Sequence, residues 1–143
     1  MNAQVFTPPA MALMATIVLL FPMLYFAFAS LTFFLRPLAD PIVGRMLRGL
    51  FHASFLAVAV LGALDALALL AAGAPAVAMG VALLAAAAFA LRARVLASID
   101  TVLRAPGAET PRRLRRLQLS GMAYNAAQIA LMLAAIPTVF GGA

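Results

Sequence analysis

Four long apolar blocks, at about 10–35, 46–72, 76–97 and 114–139, divide this chain, and its basic residues gather at only two of the junctions between them. Arg36, Arg45 and Arg48 flank the first junction; Arg92, Arg94, Arg104, Arg112, Arg113, Arg115 and Arg116 flank the third. The amino terminus, the second junction (Ala71 to Ala76) and the carboxyl terminus carry no charged side chain. At 1.5 Å per residue, a block of about 22 to 27 residues spans roughly 33 to 40 Å, enough to cross a hydrocarbon layer of ~30 Å. Arginine is costly to translocate, so loops that carry it stay in the cytoplasm. The expected fold is therefore all-α: a polytopic membrane protein of four antiparallel transmembrane helices, with both termini on the non-cytoplasmic side.

Composition supports this class. A mean hydropathy of +1.10 and 66% apolar residues exceed what an ordinary soluble domain carries. With four crossings, 143 residues leave no room for a second domain, so residues 1–143 read as one unit. In a soluble protein a net charge of +6 would suggest nucleic acid. Here the arginines lie at helix ends, so the expected partners are the lipid bilayer and its anionic cytoplasmic headgroups, with no nucleic acid. Arg112, Arg113, Arg115 and Arg116 are the candidate lipid contacts, because at a helix amino end the macrodipole opposes them. Cysteine is absent, which removes disulfides, thiolate metal sites and cysteine nucleophiles. The first block follows Met1 to Pro9 without a basic n-region and exceeds the roughly 7–15 residues of a signal-peptide core, so it reads as a retained helix. Abundant alanine and arginine without lysine point to a GC-rich bacterial genome, and so to the bacterial inner membrane.

Local signals set the expected boundaries. Thr7-Pro8-Pro9 is a cap followed by first-turn prolines, and Pro22 should kink helix one. Pro37 to Pro41 reads as a turn, Gly44 to Arg48 as the lead into helix two, and Ala71 to Ala76 as a tight hairpin. Helix three, from about 76, should outlast its apolar part (to about 97) and reach Arg104, with Asp100 in headgroups or cytosol. Thr110-Pro111 caps helix four, expected over about 112–139. Ala78, Ala82, Ala86 and Ala90 on helix three, and Ala126, Ala130 and Ala134 on helix four, form small-residue stripes suited to close helix approach in lipid.

Few residues can carry chemistry. Asp65 lies about 17 residues, or ~25 Å, beyond Arg48, towards the outer interface, with no arginine at its depth. An acid within a span is a candidate functional site; the plainer expectation is contact with outer headgroup water or capping of the nearby hairpin. Asn125 and Gln128 share one face of helix four, and Tyr25 falls at a similar depth on helix one. Interhelical hydrogen bonding is the plain reading of these three, and a polar pocket the sharper one. His52 sits about one turn inside the cytoplasmic boundary, where contact with water is expected. A b-type haem takes two axial ligands, and one histidine cannot supply both unless a methionine or a second subunit provides the other. Paired carboxylates, a histidine-rich metal pattern, a nucleophile elbow and phosphate-cradling glycine loops are missing from the sequence. Catalysis, a metal and a cofactor are therefore not expected.

The stretch Leu114 to Asn125, Leu-Arg-Arg-Leu-Gln-Leu-Ser-Gly-Met-Ala-Tyr-Asn, resembles the last-helix signature of a family of small four-helix bacterial membrane proteins. These are domains of unknown function related to a eukaryotic transmembrane protein associated with cisplatin resistance. The family places a histidine seven positions before an asparagine. Here Gln118 to Asn125 keeps that spacing, with glutamine where the family has histidine. Phe21 to Phe34, followed by Gly44 to Phe51, looks like the family's first hairpin. The resemblance implies a four-helix membrane fold and no assigned activity. Expected roles are therefore an accessory subunit of a larger membrane complex or a small homo-oligomer. The alternative is a small-solute or proton-linked transporter or channel using Asp65, Tyr25, Asn125 and Gln128.

Overall fold

In the computed structural model, residues 6–141 are described; the tails at residues 1–5 and 142–143, expected outside the membrane, lie beyond them. Four helices account for nearly all of this length: α1 (Pro8–Thr32), α2 (Pro41–Ala71), α3 (Pro75–Arg104) and α4 (Thr110–Phe140). A 3-10 turn, Phe33–Leu35, extends α1. Each helix is long and apolar enough to cross a membrane. Among the described residues there is no strand.

Helix α2 starts five residues before its expected start at 46. Asp40 accepts a hydrogen bond from the Ile42 amide (2.9 Å) and Pro41 occupies the first helical position, so Gly44 to Arg48 is already helix. Two expected caps work otherwise. Thr7 makes no side-chain cap bond. The Thr110 hydroxyl accepts from the Gly107 amide (2.8 Å), which closes the loop before α4 rather than capping the helix. Pro137 lies within α4, which runs on to Phe140.

The α2–α3 hairpin is closed by backbone alone. The Ala74 amide donates to the Leu69 carbonyl (3.0 Å) and the Gly73 amide to the Leu70 carbonyl (3.1 Å), the paired bonds of a Schellman ending. Gly73 has φ +79°, a left-handed conformation that side chains rarely adopt. Gly73→Ala is expected to cost about 1 kcal/mol, read as a lowered unfolding midpoint, with no change in assembly.

Helix packing follows heptad-like seams. On α1 the buried residues are Ala12, Thr16, Leu19, Met23, Phe26 and Ser30; on α4 they are Thr110, Leu114, Gln118, Gly121, Asn125, Gln128 and Met132. Helix α2 is buried over a wider face because it packs against both α1 and α3, while α4 packs on α1 and α3. At the centre Phe26 meets Phe51 edge-on (centroids 5.2 Å), and Phe51, Phe55 and Tyr124 follow in a stack at 5.6 and 5.9 Å. The outer surface is apolar: Phe21, Phe28, Leu64, Phe89 and Leu131 are all exposed. Such a coat would aggregate in water and suits lipid.

The alanine stripes do not pack as expected. A four-residue repeat drifts about 40° per step around a 3.6-residue helix, so Ala78 is buried while Ala86 and Ala90 face outward. The packed face of α3 is instead Ala78, Val81, Ala85 and Ala88. Ala126, Ala130 and Ala134 all lie on the exposed side of α4.

Candidate functional site

The buried seam of α4 carries three amides, and that seam decides how the helix is held. Lipid tails are as apolar as leucine, so packing and hydrogen bonds hold helices together in a membrane. Asn125 donates through Nδ2 to the Met23 carbonyl of α1 (2.8 Å), using that carbonyl's second lone pair. Two turns earlier, Gln118 is fully buried and donates through Nε2 to the Ser30 carbonyl (2.7 Å). Its Oε1 accepts from the Arg115 guanidinium (2.6 Å), which also donates to the Phe33 carbonyl (3.2 Å) and lies 4.8 Å from the centre of the Phe34 ring. Ser30 and Phe33 lie where α1 tightens into the 3-10 turn. The Phe33 amide reaches the Ser30 carbonyl and the Arg36 amide the Phe33 carbonyl (3.3 Å), leaving each oxygen a second lone pair. Gln118 and Arg115 supply donors from α4.

This changes the role expected for Arg115. It is half-buried and engaged within the bundle, whereas Arg112, Arg113 and Arg116 are exposed. At the same end of the molecule, Arg48 of α2 grips Asp100 of α3 through Nε (2.5 Å) and a terminal nitrogen (3.0 Å). Asp100 therefore holds an interhelical ion pair instead of projecting freely into headgroups.

Asp65 is 0% exposed. The Thr16 hydroxyl of α1 donates to its Oδ1 (2.8 Å), while Oδ2 has no partner among the described residues. Asp65 neither caps the hairpin, which its backbone closes, nor opens to the surface. The absence of a basic neighbour was legible in the sequence; Thr16 was not identified. Thr16 lies on α1's buried seam, and that phase is the signal that would have found it.

Tyr25 is 65% exposed and joins none of this. It shares the depth of the polar cluster but points away from the seam, flanked by buried Met23 and Phe26. Of the expected polar set, only Asn125 and Gln128 come together, beside Tyr124 and Ser54. His52 is half-buried, and a terminal nitrogen of Arg92 lies 2.9 Å from its Nδ1. Arginine can only donate, so in this contact Nδ1 is the acceptor. His52 thus faces α3 rather than water alone. Among the described residues no three histidine, aspartate or glutamate side chains gather as a metal site.

A bundle of four apolar helices tied by buried amides defines the class: a multi-pass helical membrane protein. Comparison with protein-family models, curated proteins and solved structures finds no match for the chain.

Proposed function

We propose that this chain is a non-catalytic integral membrane protein that works by lateral association, as an accessory subunit of a larger membrane complex or as a small homo-oligomer. The observation that carries the reading is the use of its polar side chains. Arg115, Gln118 and Asn125 are committed to carbonyls of α1, and the two small cavities beside Asn125 and beside Thr16 measure about 10 Å³ each. A solute has little room there. The outward face offers more. An open apolar groove of about 850 Å³ between α2 and α3 is lined by alanines, Ala59, Ala63, Ala82 and Ala86 among them, and by larger side chains such as Leu67 and Phe89, and Ala126, Ala130 and Ala134 lie exposed on α4.

In this reading the helices are antiparallel, the arginine-rich end faces the cytoplasm of a bacterium, both termini lie outside, and Arg112, Arg113 and Arg116 meet anionic headgroups. Kinship with the small four-helix family fits the arrangement, because Gln118, at the family's histidine position, ties α4 to α1. Native mass spectrometry of the gently extracted protein tests the proposal. Co-purifying subunits or defined multiples of the chain are expected. A partner-free monomer under every solubilisation condition would overturn it.

A second reading, proton- or solute-linked transport, rests on Asp65, whose Oδ2 is buried without a partner. Asp65→Asn keeps the acceptor that Thr16 uses, so insertion and thermal stability should stay unchanged. Loss of flux in proteoliposomes would establish this reading; flux equal to the parent protein's would remove Asp65 from any mechanism.

A further inference from the structure

We propose that one water molecule binds at the centre of the bundle, bridging Ser54 of α2 to Gln128 of α4. Two independent observations converge on this spot. The first is a small cavity of about 10 Å³ whose lining includes Ser54, Tyr124, Asn125 and Gln128, together with Phe26 and Phe55. The second is that Ser54 Oγ and Gln128 Nε2, both buried, have no hydrogen-bond partner among the described residues. Buried polar atoms in native proteins are nearly always satisfied, by protein or by ordered water. A polar cavity of roughly 10–15 Å³ is the size at which one water fits, provided it finds two to four partners.

The chemistry selects water over other occupants. Gln128 Nε2 can only donate and the serine hydroxyl can do either, so the ligand must accept from one and can donate to the other. Tyr124 offers another contact, because its hydroxyl meets the Leu84 carbonyl only at 3.5 Å, a weak bond. The lining is neutral, which gives a cation or anion no counter-charge, and the volume excludes a larger molecule. The position also has a structural consequence. Helices α2 and α4 lie across the diagonal of the bundle and touch each other far less than neighbouring helices do. The water adds a polar link to the contacts that Phe55 with Tyr124 and Phe51 with Gly121 already make between these two helices.

The test uses the full chain, isotope-labelled and in deuterated detergent, and reads magnetisation transfer from water to the Gln128 side-chain amide protons. A cross-peak is expected that changes sign in the rotating frame, as a dipolar contact does and proton exchange does not. Ser54→Val fills the cavity with methyl groups and should abolish the cross-peak, with the backbone amide spectrum confirming the fold. Absence of the cross-peak in the parent protein, or its persistence in Ser54→Val, would overturn the proposal. A double-mutant cycle adds a second readout. Ser54→Ala and Gln128→Leu should each lower the thermal midpoint, and the double variant should fall no further than the worse single one. Fully additive shifts would count as refutation.

Discussion

Gly121→Leu is expected to destabilise the bundle by at least about 3 kcal/mol, the upper range for overpacking a filled core. A Cβ at this position would lie 2.5 Å from Phe51 Cε1, 2.6 Å from its Cζ and 3.3 Å from Phe26 Cζ. Neither ring can move aside freely. Phe51 is fully buried and stacked on Phe55, and Phe26 is wedged edge-on against Phe51. The leucine would therefore lift α4 away from α1 and α2, and the Asn125 and Gln118 bonds on either side would lengthen with it. Gly80→Leu is the control, since nothing lies within 4 Å of a Cβ there; it should be neutral or slightly stabilising, because a glycine leaves a helix interior. Unfolding titrations in mixed micelles compare the two. Equal effects would mean that α4 does not approach the phenylalanine cluster closely.

Gln118→Leu should be the next most damaging change, at about 2 kcal/mol. The substitution strips a donor from the Ser30 carbonyl and an acceptor from the Arg115 guanidinium. Membrane hydrogen bonds average ~0.6 kcal/mol, while bonds to charged groups run to about 1.5–3 kcal/mol; one of each is lost. Arg115 keeps its contact with the Phe33 carbonyl, so the end of α1 should loosen rather than detach. Histidine at this position retains one ring N–H and should recover part of the loss. Hydrogen exchange at the amides following Ser30 gives the local readout. Protection unchanged from the parent protein would show that Gln118 does not hold this helix end.

How much of this the sequence discloses depends on what each property requires. Four helices could be read because span length and apolar content are local sums over some twenty residues. Boundaries were less secure: the expected start of α2 at 46 took Gly44 to Arg48 as a lead-in, whereas the Asp40 cap and Pro41 open the helix at 41. The candidate site was half legible. Asp65, Asn125 and Gln128 stood out as polar residues in apolar runs, and all three are buried. Tyr25 was grouped with them by depth alone and falls on the wrong side of α1. The alanine stripes failed similarly, because a repeat of four residues walks around a helix whose packed seam alternates threes and fours.

The sequence by itself determined the class of molecule. A lipid interior charges a steep free-energy penalty for each exposed polar group, so hydropathy and arginine placement must declare themselves residue by residue along the chain. What each buried polar group is for was decided only by the tertiary structure. Thr16 with Asp65, Gln118 with Ser30, Arg48 with Asp100 and Arg92 with His52 are separated by 40 to 88 residues. Such pairs form only when helix phase and helix neighbours agree to within a hydrogen-bond length. That agreement is a property of the assembled bundle, and no single segment contains it.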